Sequence, residues 1–217
     1  MTLSDGVDER CDEMILGMWN KSVILTYVGM AFAVLGMCVA VSGGKLNYAY
    51  ACLIVAGVCD LFDGAVARRV KRTEEEKQFG IQLDSLVDVV SFIALPITIF
   101  CAMGFTKGYQ IGLYVLFAVS GIARLGYFNV VTADENGPVK YYTGLPVTYS
   151  ALIFSLANLG SYTLQAEQFE ILFTLLVFVV TVLEILKVPV VKPKGIAYVF
   201  FAVAAVGMLT VYLAVLG

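Results

Sequence analysis

CDLFDGAVARR (residues 59–69) and FGIQLDSLVDVVSF (residues 79–92) place four aspartates inside apolar sequence. The four are Asp60, Asp63, Asp84 and Asp88. Within each stretch the two acids are three or four residues apart, so each pair lies on one face of a helix. An aspartate at the centre of a membrane-spanning helix costs about 2.5–3.5 kcal/mol on insertion scales. These acids therefore predict a functional site rather than a lipid-facing surface.

The spacing also predicts how the two pairs meet. The two helices are antiparallel neighbours, joined by a short basic loop. Measured from that loop, a rise of 1.5 Å per residue puts Asp60 and Asp88 about 12 Å deep, and Asp63 and Asp84 about 6–8 Å deep. Four carboxylates this close need protons or cations, and oxygen ligands favour Mg²⁺ or Mn²⁺. The pattern predicts one cavity that can hold a pair of divalent ions.

The rest of the chain predicts an all-α, polytopic transmembrane helical bundle of about seven spans. Hydrophobic residues make up 60% of the chain, against about 45–50% in a soluble domain. A span needs about 20 mostly apolar residues. The predicted spans are 22–41, 46–67, 81–104, 108–129, 145–160, 169–186 and 196–216. The whole of residues 1–217 is predicted to be one integral membrane domain.

Lysine and arginine are distributed unevenly between the predicted loops. If the loop 68–79 is cytoplasmic, 11 of the 14 basic residues lie inside, Lys45 and Lys107 lie outside, and Arg124 lies within a helix. The positive-inside rule then makes residues 1–20 a cytoplasmic segment and opens the acidic cavity to the cytoplasm. No eukaryotic targeting signal is visible, so a bacterial or archaeal cell membrane is the expected location.

Composition excludes several kinds of chemistry. The chain has no histidine, which excludes Ser-His and Cys-His catalysis and histidine metal sites. The net charge of −3 favours no particular partner, and no nucleic-acid partner is expected. Intramembrane acids also serve as ion relays in transporters. That alternative predicts broken helices in repeated halves of the chain, and the sequence has no such duplication.

The aspartates belong to a longer pattern, which resembles the signature of the CDP-alcohol phosphotransferase family. That signature is D-x-x-D-G-x-x-A-R followed by G-x-x-x-D-x-x-x-D. The matching residues here are Asp60, Asp63, Gly64, Ala67, Arg68, Gly80, Asp84 and Asp88. The loop between the two halves is longer than the family usually has. Residues 20–190 more widely resemble the phosphatidylserine synthase members, with Ile93-Ala94 as a departure from their pattern.

The resemblance implies a six-helix catalytic core, a homodimer, and transfer of a phosphatidyl group from CDP-diacylglycerol to an alcohol in a lipid membrane. The implied ligands of Mg²⁺ or Mn²⁺ are Asp60, Asp63, Asp84 and Asp88. Asp88 is also the implied general base for the attacking hydroxyl. The implied CDP-binding residues are Asp60, Gly64, Ala67 and Arg68.

The resemblance implies L-serine as the acceptor, and the carboxylate of serine needs a cation in a partly desolvated pocket. Arg124 is the only arginine within a predicted helix, so we expect it to contact the acceptor, with Asn129 and Lys140 nearby. The alternative is that Arg124 pairs with an aspartate or a lipid phosphate. Glycerol 3-phosphate, inositol and inositol phosphate remain alternative acceptors. A phosphorylated acceptor would need more basic residues lining the cavity.

Overall fold

The computed structural model describes residues 17–134, 141–187, 189–191 and 196–215. Within these ranges the chain forms a helical bundle and one short two-stranded ribbon. The helices are α1 (Ile24–Val41), α2 (Leu46–Ala67), α3 (Glu74–Asp88), α4 (Leu95–Ala102), α5 (Gly108–Asp134), α6 (Tyr149–Asn158), α7 (Ala166–Ile185) and α8 (Ile196–Thr210). The strands are β1 (Tyr141–Thr143) and β2 (Pro189–Val191), which pair antiparallel. The predicted all-α class is confirmed.

All seven predicted spans fall on helices, although their lengths differ. Among the described residues, five helices are long and apolar enough to cross a membrane: α1, α2, the continuous helix Glu74–Ala102, α5 and α7. Helix α6 has only ten residues before a 3₁₀ turn at Leu159–Tyr162. Helix α8 continues into a π-helical segment, Val211–Val215, and the two together contain the apolar stretch Phe200–Ala214. The chain is thus a polytopic membrane bundle, as expected.

Helix α3 begins well before its predicted start at residue 81, because local capping extends it. The Thr73 hydroxyl accepts a hydrogen bond from the Glu76 backbone N–H at 3.2 Å, and the Glu76 carboxylate accepts one from the Thr73 N–H at 2.8 Å. This capping box satisfies two N–H groups that a helix start leaves unpaired. Three glutamates in the first turn also complement the helix dipole. The acidic run Glu74–Glu76, which lies between the two halves of the signature, is therefore the first turn of a helix.

Helices α1 and α2 pack closely through small residues. A Cβ atom added to Gly36 would lie 2.9 Å from Cys52 Cβ, and one added to Gly29 would lie 3.2 Å from Cys59 Cβ. Glycine at these positions lets the two backbones approach each other, as is common between membrane helices. The close approach brings the start of α1 against the acidic end of α2.

A π-helical segment, Val89–Ala94, separates α3 from α4 directly after Asp88. Pro96 has no backbone N–H, so the Phe92 carbonyl four residues earlier lacks its usual helical partner. The Ser150 hydroxyl of α6 donates to that carbonyl at 3.0 Å. Pi-helical turns of this kind occur often at functional sites. Here the irregular segment follows Asp88 and is held in place by α6.

The end of α7 is fixed by the segment that leads into α6. The Leu145 N–H donates to the Leu183 carbonyl at 3.0 Å, which satisfies one of the carbonyls that a helix end leaves free. Gly144 has a φ of +82°, and a Cβ atom there would lie 2.8 Å from the Glu184 carbonyl oxygen. Strands β1 and β2 pair just outside this contact. Only glycine fits at this position without strain.

Gly144→Ala is expected to destabilise the protein by about 1–3 kcal/mol, because alanine disfavours positive φ and its methyl group would meet a backbone carbonyl. Thermal unfolding in detergent measures the change. Gly112→Ala, on α5 with no atom within 4 Å of the added Cβ, is the matched control. Equal unfolding temperatures for the two variants would contradict the strain assigned to Gly144.

Candidate active site

The four aspartates from α2 and α3 converge on one cavity. One carboxylate oxygen from each of Asp60, Asp84 and Asp88 lies within 4.8 Å of the others. Asp63 joins them at hydrogen-bonding distance from Asp84, and all four line the same cavity. Asp60 lies at hydrogen-bonding distance from Asp88, and Asp84 is close to both of them as well as to Asp63.

The cluster is largely shielded from solvent. Asp63 and Asp88 are 8% and 7% exposed, and Asp60 and Asp84 are half-buried. Carboxylates this close repel one another strongly in a low-dielectric setting. A donor set made only of carboxylate oxygens, close enough to share ions, suits hard divalent cations such as Mg²⁺ or Mn²⁺. The chemistry of these side chains therefore fits the metal ions expected from the sequence.

Helix α1 supplies a contact to the cluster that was not predicted from the sequence. The Thr26 hydroxyl donates to Asp63 Oδ2 at 3.0 Å, and Ser22 lines the cleft one turn earlier. This bond fixes the orientation of the Asp63 carboxylate. Ser22 and Thr26 are four residues apart in an otherwise apolar stretch, and this spacing is the sequence feature that could have indicated the contact.

Two arginines lie at the mouth of the cavity. A Cβ atom added to Gly64 would be 3.7 Å from Arg68 Nη1, and one added to Gly80 would be 3.5 Å from Arg72 Nη1. Each guanidinium therefore lies over a glycine of the signature. Together with Ala67, these residues line a cleft that reaches Asp63 and Asp84. The cleft combines positive charge with open backbone, which suits a phosphate-bearing ligand.

A separate apolar cavity reaches the cluster at Asp60. It lies between α2, α6 and α8, and Asp60 is its only acidic lining residue among those described. Its other walls are almost wholly apolar: Ile54, Gly57, Val58, Leu61, Thr148, Tyr149, Ala151, Leu152, Phe201, Ala205 and Met208. An apolar route to a carboxylate cluster suits a ligand with hydrocarbon chains.

The three residues expected at the acceptor pocket lie in different places relative to the aspartate cluster. Arg124 is half-buried, lies over the Phe128 ring at 5.8 Å, and interacts electrostatically with Asp60. Asn129 donates to Ser85 Oγ at 2.8 Å and so bridges α5 to the acidic helix α3. Lys140 lies outside the described residues. The structure thus brings Arg124 and Asn129 to the site, at different points along α5.

A fifth buried acid was not found from the sequence. Glu184 of α7 is 2% exposed, and its Oε2 accepts a hydrogen bond from the Ser120 hydroxyl of α5 at 2.7 Å. Arg124 interacts electrostatically with Glu184 as well as with Asp60. From the sequence alone, a glutamate near the end of a predicted span is expected to be exposed to solvent. Its burial follows only from the packing of α5 against α7.

Comparison with known proteins gives a family match over most of the chain. The family model described as CDP-alcohol phosphatidyltransferase matches residues 19–210. The CDP-diacylglycerol–serine O-phosphatidyltransferase of Saccharomyces cerevisiae is 39% identical over 111 residues, covering 48% of this chain and 39% of that protein. The archaetidylserine synthase of Methanothermobacter thermautotrophicus is 33% identical over 142 residues, covering 65% and 59%. The CDP-diacylglycerol–serine O-phosphatidyltransferase of Helicobacter pylori J99 is 35% identical over 130 residues, covering 58% and 52%. The matched segments thus span 39–59% of these three relatives' lengths.

Proposed function

The chain belongs to the CDP-alcohol phosphatidyltransferase family, and from this premise we propose that it transfers the phosphatidyl group of CDP-diacylglycerol to L-serine. The products are phosphatidylserine and CMP. The observation that carries the proposal is the convergence of Asp60, Asp63, Asp84 and Asp88 on one cavity. A basic cleft reaches that cluster at Asp63 and Asp84, and an apolar cavity reaches it at Asp60.

Asp60, Asp63, Asp84 and Asp88 are proposed to hold Mg²⁺ or Mn²⁺. When bound, such ions neutralise charge on a pyrophosphate and stabilise the leaving phosphate. Thr26 orients Asp63 for this role through its 3.0 Å hydrogen bond. The short distances within the cluster support ion binding, because a cation offsets the repulsion between the carboxylates.

The donor is proposed to bind across the mouth of the cavity. Asp60, Gly64, Ala67 and Arg68 would hold the CDP part, with the guanidinium of Arg72 beside them. The acyl chains would extend into the apolar cavity between α2, α6 and α8, which ends at Asp60. This placement brings the phosphatidyl phosphorus to the aspartates while the hydrocarbon stays out of water.

Asp88 is proposed to be the general base. It is the deepest acid on α3 and lies against Asp60. The acceptor hydroxyl oxygen forms a bond to the phosphatidyl phosphorus, its proton passes to Asp88, and the bond from phosphorus to the CMP oxygen breaks. Because Asp88 is only 7% exposed, water has little access to compete with the alcohol at this point.

Serine is preferred as the acceptor for two reasons. Relatives from yeast and Helicobacter pylori carry serine in their names, and the archaeal relative is named a synthase of archaetidylserine. Arg124 supplies a cation next to Asp60, which suits an unphosphorylated acceptor with one carboxylate. Glycerol 3-phosphate, inositol and inositol phosphate are the competing acceptors within the same family.

Arg124→Ala is expected to raise the KM for L-serine about 10- to 100-fold, because a carboxylate loses its charged partner in a desolvated pocket. The KM for CDP-diacylglycerol should change by less than about two-fold, since binding of the donor is assigned to other residues. Initial rates of CMP release with each substrate varied in turn measure both constants. Lys187→Ala removes a nearby exposed cation as the matched control. An unchanged serine KM would remove Arg124 from the acceptor site.

The orientation and assembly are further proposals. The basic residues of the loop after α2, at the mouth of the cleft, support an active site that faces the cytoplasm of a bacterial or archaeal cell. A homodimer is expected from the resemblance to the family.

The experiment that tests the proposed function measures CMP release by the purified protein in detergent micelles. CDP-diacylglycerol and Mn²⁺ are supplied with one acceptor at a time: L-serine, glycerol 3-phosphate, inositol or inositol phosphate. The proposal expects turnover with L-serine. Turnover with another acceptor alone would retain the donor and the aspartates but refute serine as the acceptor.

A further inference from the structure

Glu184 is a buried acid, and only one of its two carboxylate oxygens accepts a hydrogen bond from the described residues. Its Oε2 accepts the 2.7 Å hydrogen bond from Ser120, but its Oε1 is buried and has no hydrogen-bond partner among the residues that the structure describes. An unpaired buried carboxylate oxygen is costly, and more so on a membrane-spanning helix. If Glu184 served only to hold α5 against α7, a neutral side chain would do so at lower cost. The free oxygen points instead to a ligand that brings a donor.

The position of Glu184 relates it to the proposed acceptor pocket. Ser120 and Arg124 are one turn apart on α5, and Arg124 interacts electrostatically with both Glu184 and Asp60. A Cβ atom added to Gly121 would lie 3.6 Å from Glu184 Oε2 and 2.6 Å from Ile93 Cδ1. The carboxylate therefore lies beside the part of α5 that packs on the π-helical segment after Asp88. A ligand near Arg124 would have Asp60 and Glu184 within electrostatic range.

The backbone around Glu184 is held firmly. Gly144 lies against the Glu184 carbonyl, and the backbone N–H of Leu145 donates a hydrogen bond to the Leu183 carbonyl at 3.0 Å. A carboxylate on a fixed helix end, with one oxygen already oriented by Ser120, is organised before its ligand arrives. This arrangement favours selective recognition, because little ordering is required on binding.

We propose that Glu184 binds the ammonium group of L-serine while Arg124 binds its carboxylate, which makes Glu184 a specificity-determining residue. The inference rests on the proposed function and extends it from the acceptor's acid group to its amine. A zwitterion presents one positive and one negative charge, and the Glu184 and Arg124 pair complements both without adding net charge to the pocket. Inositol and glycerol 3-phosphate have no ammonium group and would leave the Glu184 carboxylate without a positively charged partner.

The test compares L-serine with 3-hydroxypropanoate, which keeps the hydroxyl and the carboxylate but lacks the ammonium group. The wild-type protein should prefer L-serine by at least about 100-fold in kcat/KM, because the analogue leaves a buried polar group unpaired. Glu184→Gln should raise the serine KM about 10- to 100-fold and lower that preference by at least about 10-fold. Glu170→Gln removes a carboxylate from the opposite end of α7 and serves as the matched control.

The ratio of the two acceptors separates recognition from folding. A purely structural role for Glu184 would lower turnover with both acceptors alike and leave their ratio unchanged, which would overturn the inference. If the glutamine variant does not fold, Glu184→Asp keeps the charge on a shorter side chain. It should raise the serine KM by about 10-fold while the KM for CDP-diacylglycerol changes by less than about two-fold. An unchanged serine KM in the aspartate variant would also overturn the inference.

The same assay distinguishes failure of the inference from failure of the proposed function. No serine-dependent CMP release by the wild-type protein would refute serine as the acceptor, and the role of Glu184 with it. Serine-dependent release by a wild-type protein that uses 3-hydroxypropanoate equally well would refute the role of Glu184 alone. The proposed function would then stand with Arg124 as its acceptor contact.

Discussion

Asp88→Asn is expected to lower serine-dependent CMP release by at least about 1,000-fold, because the change removes both a general base and a proposed metal ligand. Asparagine has nearly the same shape as aspartate, so the fold should persist and the loss should appear in kcat. Asp88 is buried and lies within 4.8 Å of the Asp60 and Asp84 carboxylates. Loss of its charge therefore also affects any ion that these three carboxylates hold together. The initial rate of CMP release at saturating substrates measures the effect.

The control for Asp88→Asn is Glu75→Gln, which neutralises an exposed acid in the first turn of the same helix. Its rate should stay within about two-fold of the wild type, since surface substitutions rarely matter. An Asp88→Asn protein with a rate within about ten-fold of the wild type would remove Asp88 from the role of base.

Removing divalent cations is the second change with a large expected effect. After treatment with EDTA, CMP release should fall by at least about 100-fold, because the four carboxylates would lose the ions that stabilise the leaving phosphate. Added Mg²⁺ or Mn²⁺ should restore the rate. EDTA already saturated with Mg²⁺ is the control for effects of the chelator itself.

Metal-independent turnover would contradict the proposed role of the aspartate cluster. The same titration on Asp60→Asn provides a check within the site, because a lost ligand should shift activation to higher Mn²⁺ concentration. If that variant were activated at the same Mn²⁺ concentration as the wild type, Asp60 would not be a ligand of the activating ions.

The acidic cluster could be predicted because it depends on spacing along two helices. Residues three or four apart share a face, and a constant rise per residue sets their depth, so the pairing of Asp60 with Asp88 and of Asp63 with Asp84 followed. The membrane-spanning helices could be predicted from the apolar runs for a similar reason. Burial in lipid requires long stretches without charge, which are visible in any single sequence.

Other features depend on packing between distant segments and could not be predicted in this way. Thr26 reaches Asp63 only because small residues bring α1 against α2, and Glu184 is buried only because α5 covers it. The early start of α3 was missed for a local reason. The capping box of Thr73 and Glu76 extends a helix through polar residues that hydropathy alone assigns to a loop.

The most direct test follows isotopically labelled L-serine into lipid while CMP is counted in the same reaction. The purified protein, CDP-diacylglycerol and Mn²⁺ should yield one labelled phosphatidylserine for each CMP released, and Asp88→Asn should yield neither. CMP formed without labelled lipid would indicate hydrolysis of the donor rather than transfer to serine. That result, or the absence of both products, would contradict the account.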